Sequence, residues 1–336
     1  MRSAAIAAAF LVLSTGTAQA RPSIWDEARE PESRRAYEAL VAVERMIARA
    51  EEGSFDLGLR HNFTRAALAM LELAGGARLS DVRLKFLLAD LLLDAGIGKE
   101  RAARALLEEA LAEAPESPLA GQAYFQLAIA SAKLGDSARE HEAYTRALER
   151  IWQPDFRAQI HLNRAESRMV LASNPDDDRF TLEDALADYR RALELASRPD
   201  IQSLAYYGLG IALERNGNLP AALEAFERAA SIHLGPLFPS ALDMPGVFFV
   251  PAYDLFYYKA LEAMALARVA EDVQDRIRYW DLSVAYWRRY LEEAEPEGHA
   301  WVYNARLHRA SAEKQLDKLR ASELGRSRAR DPRPGR

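Results

Sequence analysis

The 336-residue sequence contains no cysteine, and this absence removes several kinds of chemistry at once. Disulfides, thiolate metal centres, iron–sulfur clusters, cysteine nucleophiles and lipidated cysteines are all excluded. Lysine is scarce as well, because most of the 44 basic residues are arginine. The formal net charge of -6 argues against a general nucleic-acid binder, so we expect no nucleic-acid partner.

Long apolar runs are also missing, since no segment approaches the roughly 18 apolar residues that a membrane-spanning helix needs. The first twenty residues instead have the three parts of a secretory signal: a basic start at Arg2, an apolar run over residues 4–13, and a small-residue end at Ala18-Gln19-Ala20. We therefore expect residues 1–20 to be a cleaved signal peptide. The mature chain is then exported, to the periplasm or the medium, and has no transmembrane segment.

From about residue 25 to about residue 323 the pattern is helical throughout. Alanine, leucine, glutamate and arginine dominate, and apolar residues recur at spacings of three and four, whereas alternating β-branched runs are absent. Short breaks separate helices of about 14 to 20 residues, a spacing that is typical of repeated helical hairpins. The sequence therefore predicts an all-α fold.

A small–bulky–small triplet recurs along these helices with fixed offsets of four and three residues. The six occurrences are Ala67/Leu71/Ala74, Ala103/Leu107/Ala110, Glu140/Tyr144/Ala147, Ala185/Tyr189/Ala192, Ala222/Phe226/Ala229 and, in degraded form, Ser283/Trp287/Tyr290. Their central residues are 36, 37, 45, 37 and 61 positions apart. Small residues allow two helices to cross closely while the bulky one fills the gap to the next helix.

The stretch from Leu204 to Ala230, with Tyr206, Leu209-Gly210 and Phe226 in order, resembles the tetratricopeptide repeat (TPR). The resemblance implies a right-handed α-solenoid of about six helical hairpins over residues 21–324, closed by a capping helix at about 298–323. Glu140 departs from the pattern, since it stands where a small residue is expected. Either that crossing is looser, or the carboxylate reaches the edge of the hairpin.

Two longer intervals interrupt the repeat. The first, at residues 174–180, is an elongated turn, after which Thr181 and Asp184 have the spacing of a helix-capping box. The second, residues 234–250, is rich in proline yet too apolar to stay in water, so we expect it to fold back onto the solenoid. Phe248 and Phe249 would then lie near Tyr207 and Tyr257, where they either plug the binding surface or form part of it.

The end of the sequence has two further features. Residues 235–303 hold 14 of the 30 aromatic residues, which indicates a large core for the last hairpin and the cap. Residues 325–336 are basic and predict a disordered tail.

No catalytic or cofactor motif is complete. Gly96-Ile97-Gly98-Lys99 resembles a phosphate loop but lacks its first glycine, and Glu100 stands where Ser or Thr binds magnesium. The six histidines form no H-E-x-x-H pair, and the acidic turn at residues 176–178 lacks the glycine of a calcium loop. We therefore predict a protein that is not an enzyme and that has no cofactor and no metal.

In a TPR solenoid the first helix of each hairpin lines a concave groove. The residues predicted to line it are Gln122, Phe125, Ile129, Lys133, Gln159, Leu162, Asn163, Glu166, Tyr207, Ile211 and Glu214. This mixture suits an extended peptide or a partner helix. An equally good interpretation is that Phe125, Leu162 and Ile211 only pack between hairpins.

The function predicted from these features is a non-catalytic scaffold that binds a peptide or partner protein in cell-envelope assembly, secretion or export. The alternative is a glycan-binding accessory of a polysaccharide-export or cell-wall apparatus. The sequence leaves open the identity of the partner and the oligomeric state.

Overall fold

The computed structural model describes residues 2–3, 38, 42, 69, 82–94, 98–173, 179–235, 238–244 and 246–330. The predicted first triplet at Ala67, the acidic turn at 176–178 and residues 331–336 lie outside this description. The chain divides into two compact units at Trp152, and eleven helices have described bounds. Each unit is built from consecutive helical hairpins.

The unit that ends at Trp152 contains two described hairpins, α1–α2 and α3–α4. Their helices are α1 (Val82–Asp94), α2 (Glu100–Glu113), α3 (Ala120–Lys133) and α4 (Ser137–Leu148). Lys85 joins the first pair, because its Nζ donates to Glu109 and Glu113 at 2.8 and 2.7 Å. The side chain of Asp136 caps α4 by accepting from the backbone N–H of Arg139.

The unit that begins at Gln153 contains three hairpins, α5–α6, α7–α8 and α9–α10, and a final helix, α11, that packs on α10. The helices are α5 (Pro154–Ala172), α6 (Leu182–Leu195), α7 (Pro199–Arg215), α8 (Leu219–Ser231), α9 (Asp254–Val269), α10 (Val273–Ala294) and α11 (Val302–Arg330). Between α8 and α9 lie a 3₁₀ turn (Ala241–Asp243) and a short strand, β2 (Val247–Phe248).

This unit also takes in the first residues of the sequence. Strand β1 (Arg2–Ser3) pairs antiparallel with β2, with Arg2 opposite Phe248. Because β1 lies within the predicted signal peptide, cleavage at residue 20 would remove this pair from the mature chain.

Local sequence explains where these helices begin. Proline at the first position starts α5 and α7, where its missing N–H and fixed φ are tolerated. The capping box predicted at Thr181 and Asp184 is present at the start of α6, with each side chain accepting from the backbone of the other residue.

The predicted repeat register is confirmed in every hairpin with described bounds. The central residues Leu107, Tyr144, Tyr189, Phe226 and Trp287 are each 0 % exposed. Their small flanking residues are buried with them. The described fold is therefore an all-α, TPR-like stack of hairpins.

Two details differ from expectation. Glu140 is fully buried, so its carboxylate does not reach the edge of the hairpin. Helix α11 runs to Arg330, beyond the predicted end near residue 323 and into the segment predicted to be disordered. Residues 321–330 are mostly alanine, arginine, serine and glutamate, which sustain a helix, and the first residue that opposes it is Pro332.

Gly210→Leu is expected to destabilise this fold through overpacking. A Cβ at position 210 would lie 2.6 Å from the ring of Phe226 and 3.1 Å from the carbonyl oxygen of Ala222. Overpacking a closed core typically costs about 1–3 kcal/mol, and backbone contact places this site at the upper end. Urea denaturation measures the loss. Equal urea midpoints for Gly210→Leu and the wild type would contradict the close crossing at this position.

Candidate functional site

Polar side chains converge where the first helices of the three hairpins, α5, α7 and α9, face one another and the start of α11. We call this surface the inner face of the unit. Its hub is Glu214, near the end of α7, which is 3 % exposed. Tyr257 on α9 and Asn304 and His308 on α11 all donate to its carboxylate, at 2.8, 3.0 and 2.7 Å. One buried carboxylate thus connects three helices.

Electrostatics keep Glu214 ionised. Burial raises the pKa of this carboxyl group, but the hydrogen bonds from His308, Tyr257 and Asn304 together lower it by more. Its pKa therefore lies below the ordinary value. Burial also raises the pKa of the Tyr257 hydroxyl well above its usual range, so this group stays protonated and remains a donor. The cluster is therefore a carboxylate held by fixed donors.

Arg215 lies beside this hub and has hydrogen-bonding capacity to spare. Its guanidinium carbon is 4.8 Å from the ring centre of Trp301 and 5.8 Å from that of Tyr257, and Nη1 is 3.9 Å from the sulfur of Met169. Nε has no hydrogen-bond partner, and no carboxylate of the described residues forms an ion pair with the group. Burial lowers the pKa of Arg215, but nearby Asp254 and other acidic groups raise it above the ordinary value.

Several members of the cluster are partly exposed. Arg215, Trp301, Asn304 and His308 are half-buried, in contrast to Glu214. Asn304 and His308 have the i, i+4 spacing of one helix face, and Trp301 directly precedes α11. A ligand that reached this face would meet a guanidinium, an amide, an imidazole and an indole.

Glu166 forms a second buried hub on the same face. It accepts hydrogen bonds from the hydroxyl groups of Tyr189 at 2.5 Å and Tyr258 at 3.1 Å. These contacts join α5 to α6 and to α9. The ring of Tyr258 lies 6.5 Å from Phe226 and 5.2 Å from Phe249.

The predicted insertion is attached to the middle of α7. The hydroxyl of Tyr207 donates to Glu262 and lies 3.2 Å from the hydroxyl of Ser240, which donates to the same carboxylate at 3.0 Å. The insertion lies against the hairpins through Ala241, Leu242, Met244, Val247 and Phe249, which belong to or pack on the main core. Phe249 contacts Tyr258 rather than the neighbouring Tyr257. Phe248 is half-buried.

The predicted groove residues are mostly buried, which corrects the expectation of an open lining. The buried ones are Phe125, Ile129, Gln159, Leu162, Asn163, Glu166, Tyr207, Ile211 and Glu214. Gln122 and Lys133 are half-buried, and the Nζ of Lys133 donates to the carbonyl of Leu93 at 2.9 Å. The small residues of the first helices let neighbouring helices approach, so long side chains reach the next helix rather than solvent.

The structure brings some of the predicted residues together and adds others. Glu166, Tyr207 and Glu214 lie on the inner face of one unit, whereas the predicted set from Gln122 to Lys133 lies in the other unit. Sequence reasoning missed Arg215 and the α11 residues. The signal that points to them is the concentration of aromatic residues that ends near Trp301, together with His308 seven residues later.

The described helices include none with the length and hydropathy of a membrane span. Within the same residues, no group of three histidine or acidic side chains is placed to hold a metal ion.

His299 gives this unit a dependence on pH. Its Nδ1 lies 2.6 Å from the hydroxyl of Tyr290, and its Nε2 lies 3.9 Å from Asp254. Burial and the charge of Arg215 lower the pKa of His299. They outweigh the opposing effect of Asp254 and Glu297, so this pKa lies below its ordinary value. Its contribution to stability is thus full above the unfolded pKa of about 6.5 and decreases as pH falls below it. In thermal melts from pH 7.5 to pH 5, the Tm of His299→Gln should therefore fall less than that of the wild type. An equal fall of Tm in the two proteins would contradict this expectation.

Comparison with known proteins gives the following similarities. No family model matches the chain. Over 120 residues it is 28 % identical to the photosystem I assembly protein Ycf3 of Acaryochloris marina, a match that covers 36 % of this chain and 64 % of that protein. The chain thus spans less than two thirds of the length of this relative.

Two solved structures also match the chain. YrrB, a TPR protein with an unusual peptide-binding site, matches with a TM-score of 0.39 and 20 % identity, over 59 % of this chain and 96 % of that chain. The TPR2AB domain of yeast Sti1, in a complex with pHSP90, matches with a TM-score of 0.30 and 14 % identity, over 84 % and 99 % of the two chains. What each of these proteins binds is a property of that protein. Because the small–bulky–small triplet is buried in every hairpin with described bounds, the present chain has a TPR-like fold.

Proposed function

We propose that the chain is a protein-interaction scaffold that binds a peptide or partner protein on the inner face of the unit beginning at Gln153. The observation that supports this most is the half-buried edge of the Glu214 cluster, where the Arg215 guanidinium lies against the ring of Trp301. Nearby acidic groups keep Arg215 charged, so a cation and an aromatic ring lie side by side on a partly exposed surface.

The chemistry of the face favours a peptide with neutral or basic side chains. Backbone carbonyls are acceptors for Arg215, and an indole surface suits apolar side chains. Glu214 already accepts hydrogen bonds from the protein, but its charge, with that of Asp254, leaves the surroundings of Arg215 net acidic. An acidic ligand would be repelled by these groups.

The proposed setting is the cell envelope. The signal-like residues 1–20 support export to the periplasm or the medium, with a role in assembly, secretion or export. The test is expression of the full sequence in a Gram-negative host, followed by fractionation and N-terminal sequencing. A periplasmic product that begins at Arg21 is expected, and a full-length product retained in the cytoplasm would contradict export.

The binding proposal is tested by capture from envelope extract of the source organism with the tagged chain and three variants. Trp301→Ala and Arg215→Gln alter the inner face. Tyr303→Ala is the matched control, because this aromatic residue is two positions from Trp301 and is 69 % exposed. We expect a protein prey that the wild type and the control retain and that the two inner-face variants lose. Retention of glycan without protein would favour the alternative function, and identical capture by all four chains would exclude the inner face.

A further inference from the structure

The loop that contains Phe249 occupies part of the inner face. Its ring meets the ring of Tyr258 edge to face, with centres 5.2 Å apart and planes at 65°. Tyr258 is itself fixed, because it is buried and its hydroxyl donates to Glu166 at 3.1 Å. Phe226, from α8, lies on Tyr258 as well, at 6.5 Å. The Phe249 ring thus sits on a rigid aromatic floor built by helices.

The loop on this floor is anchored at both ends but less firmly between them. Upstream, Ala241 and Leu242 are buried, and Ser240 is bonded to Glu262. Downstream, Tyr253 is buried and donates to Glu297 at 2.8 Å. The residues from 246 to 250 are all half-buried, and strand β1, which pairs with Val247 and Phe248, lies within the predicted signal peptide. Segments with few buried contacts open at lower free energy than the elements that flank them.

We propose that Phe249 is the chain's own occupant of an aromatic-binding niche on Tyr258, and that a partner peptide presents an aromatic side chain that replaces it. This inference rests on the proposed scaffold function and specifies its partner: an extended segment with an aromatic residue and no excess of acidic side chains. Residues 246–250 then act as a lid that a ligand displaces.

Three properties of the niche support an aromatic ligand. Tyr258 presents a ring surface, and aromatic pairs prefer the edge-to-face geometry that Phe249 already adopts. The covering residues come from a loop rather than from a helix, so the floor persists when they leave. The carboxylate of Glu166, which is bonded to the same tyrosine, disfavours an acidic residue beside the aromatic one.

The test uses the full chain and a fluorescent peptide with the sequence of residues 246–253, Gly-Val-Phe-Phe-Val-Pro-Ala-Tyr. Phe249→Ala should empty the niche and bind this peptide at least tenfold more tightly than the wild type does, as measured by fluorescence anisotropy. The matched control is Tyr286→Ala, which truncates another half-buried aromatic residue, one stacked on Phe256 at 6.5 Å. This control should bind the peptide as weakly as the wild type.

A second peptide identifies the contact, because the same sequence with alanine at the position of Phe249 should not bind the Phe249→Ala chain. Equal binding by Phe249→Ala and the wild type, or equal binding of both peptides, would overturn the proposal. If Phe249→Ala lacks a cooperative melt, Phe249→Leu replaces it. This variant should bind the peptide with an affinity between those expected for the wild type and Phe249→Ala. An affinity equal to that of the wild type would contradict the niche.

The result also separates this inference from the scaffold proposal. Phe249→Ala leaves Arg215 and Trp301 intact, so capture of a partner can be measured on the same chain. Peptide binding without partner capture would support the niche and argue against the scaffold. Partner capture by the wild type, with no effect of Phe249→Ala on peptide binding, would support the scaffold and exclude the niche.

Discussion

Phe226→Ala is expected to lower the free energy of unfolding by about 3–5 kcal/mol, as truncation of a fully buried aromatic residue typically does. The side chain is completely buried, and its ring contacts those of Tyr207 and Tyr258 at 5.3 and 6.5 Å. It also fills the space that Gly210 leaves open. Removing it leaves a cavity between two hairpins that their helices cannot close without moving. Urea denaturation followed by circular dichroism measures the loss.

The location of the damage is as informative as its size. Because each hairpin is stabilised mainly by its neighbours, the loss of hydrogen-exchange protection should be greatest in α7, α8 and α9. Protection of α1 to α4, which belong to the other unit, should change least. A melt indistinguishable from that of the wild type would refute the repeat register.

Asp188→Asn is expected to have an effect of similar size, about 3–5 kcal/mol, because it leaves the half-buried Arg164 and Arg168 without a counter-charge. This buried carboxylate lies 2.7 Å from Nδ1 of His161, 2.8 Å from Arg164 and 2.9 Å from Arg168. Burial raises the pKa of Asp188, but the hydrogen bonds from His161 and Arg164 bring it below the ordinary value, so the group is ionised at neutral pH.

The matched control for this substitution is Asp281→Asn. Asp281 pairs with Arg320 at 3.1 Å, but the two side chains are 60 % and 50 % exposed. Exposed pairs contribute at most about 1 kcal/mol, so the control should melt close to the wild type. Because the pKa of Asp188 is depressed, the stability that it provides should be present at neutral pH and lost in acid. Equal losses of unfolding free energy in the two variants would show that burial does not determine how much Asp188 contributes to stability.

The hairpins were predictable because their signals are local. A bulky residue between two small ones, at offsets of four and three, indicates that neighbouring helices cross closely. Tyr189 and Phe226 are buried, as this pattern predicts. The capping box of Thr181 and Asp184 spans one turn of helix. Each of these patterns is complete within a few residues, so the sequence alone identifies it.

The polar cluster could be predicted only in part, because its contacts connect distant positions. Glu214 was recognised as a residue of the first-helix face, but its donors Asn304 and His308 lie about ninety residues further on. No periodicity within one helix indicates which residue of another helix will meet it. The same limit explains the insertion: its apolar composition predicts that it folds back, while the choice of Tyr258 over Tyr257 depends on which side of α9 the loop reaches.

The most direct test of the central claim, that the inner face carries the partner-binding surface, is site-specific photo-cross-linking in cells of the source organism. A photoreactive phenylalanine analogue replaces either Trp301, on the inner face just before α11, or Tyr303, which is exposed in the first turn of α11. We expect a protein-sized adduct from position 301 and none from position 303. Adducts from position 303 alone, or none from position 301, would contradict it.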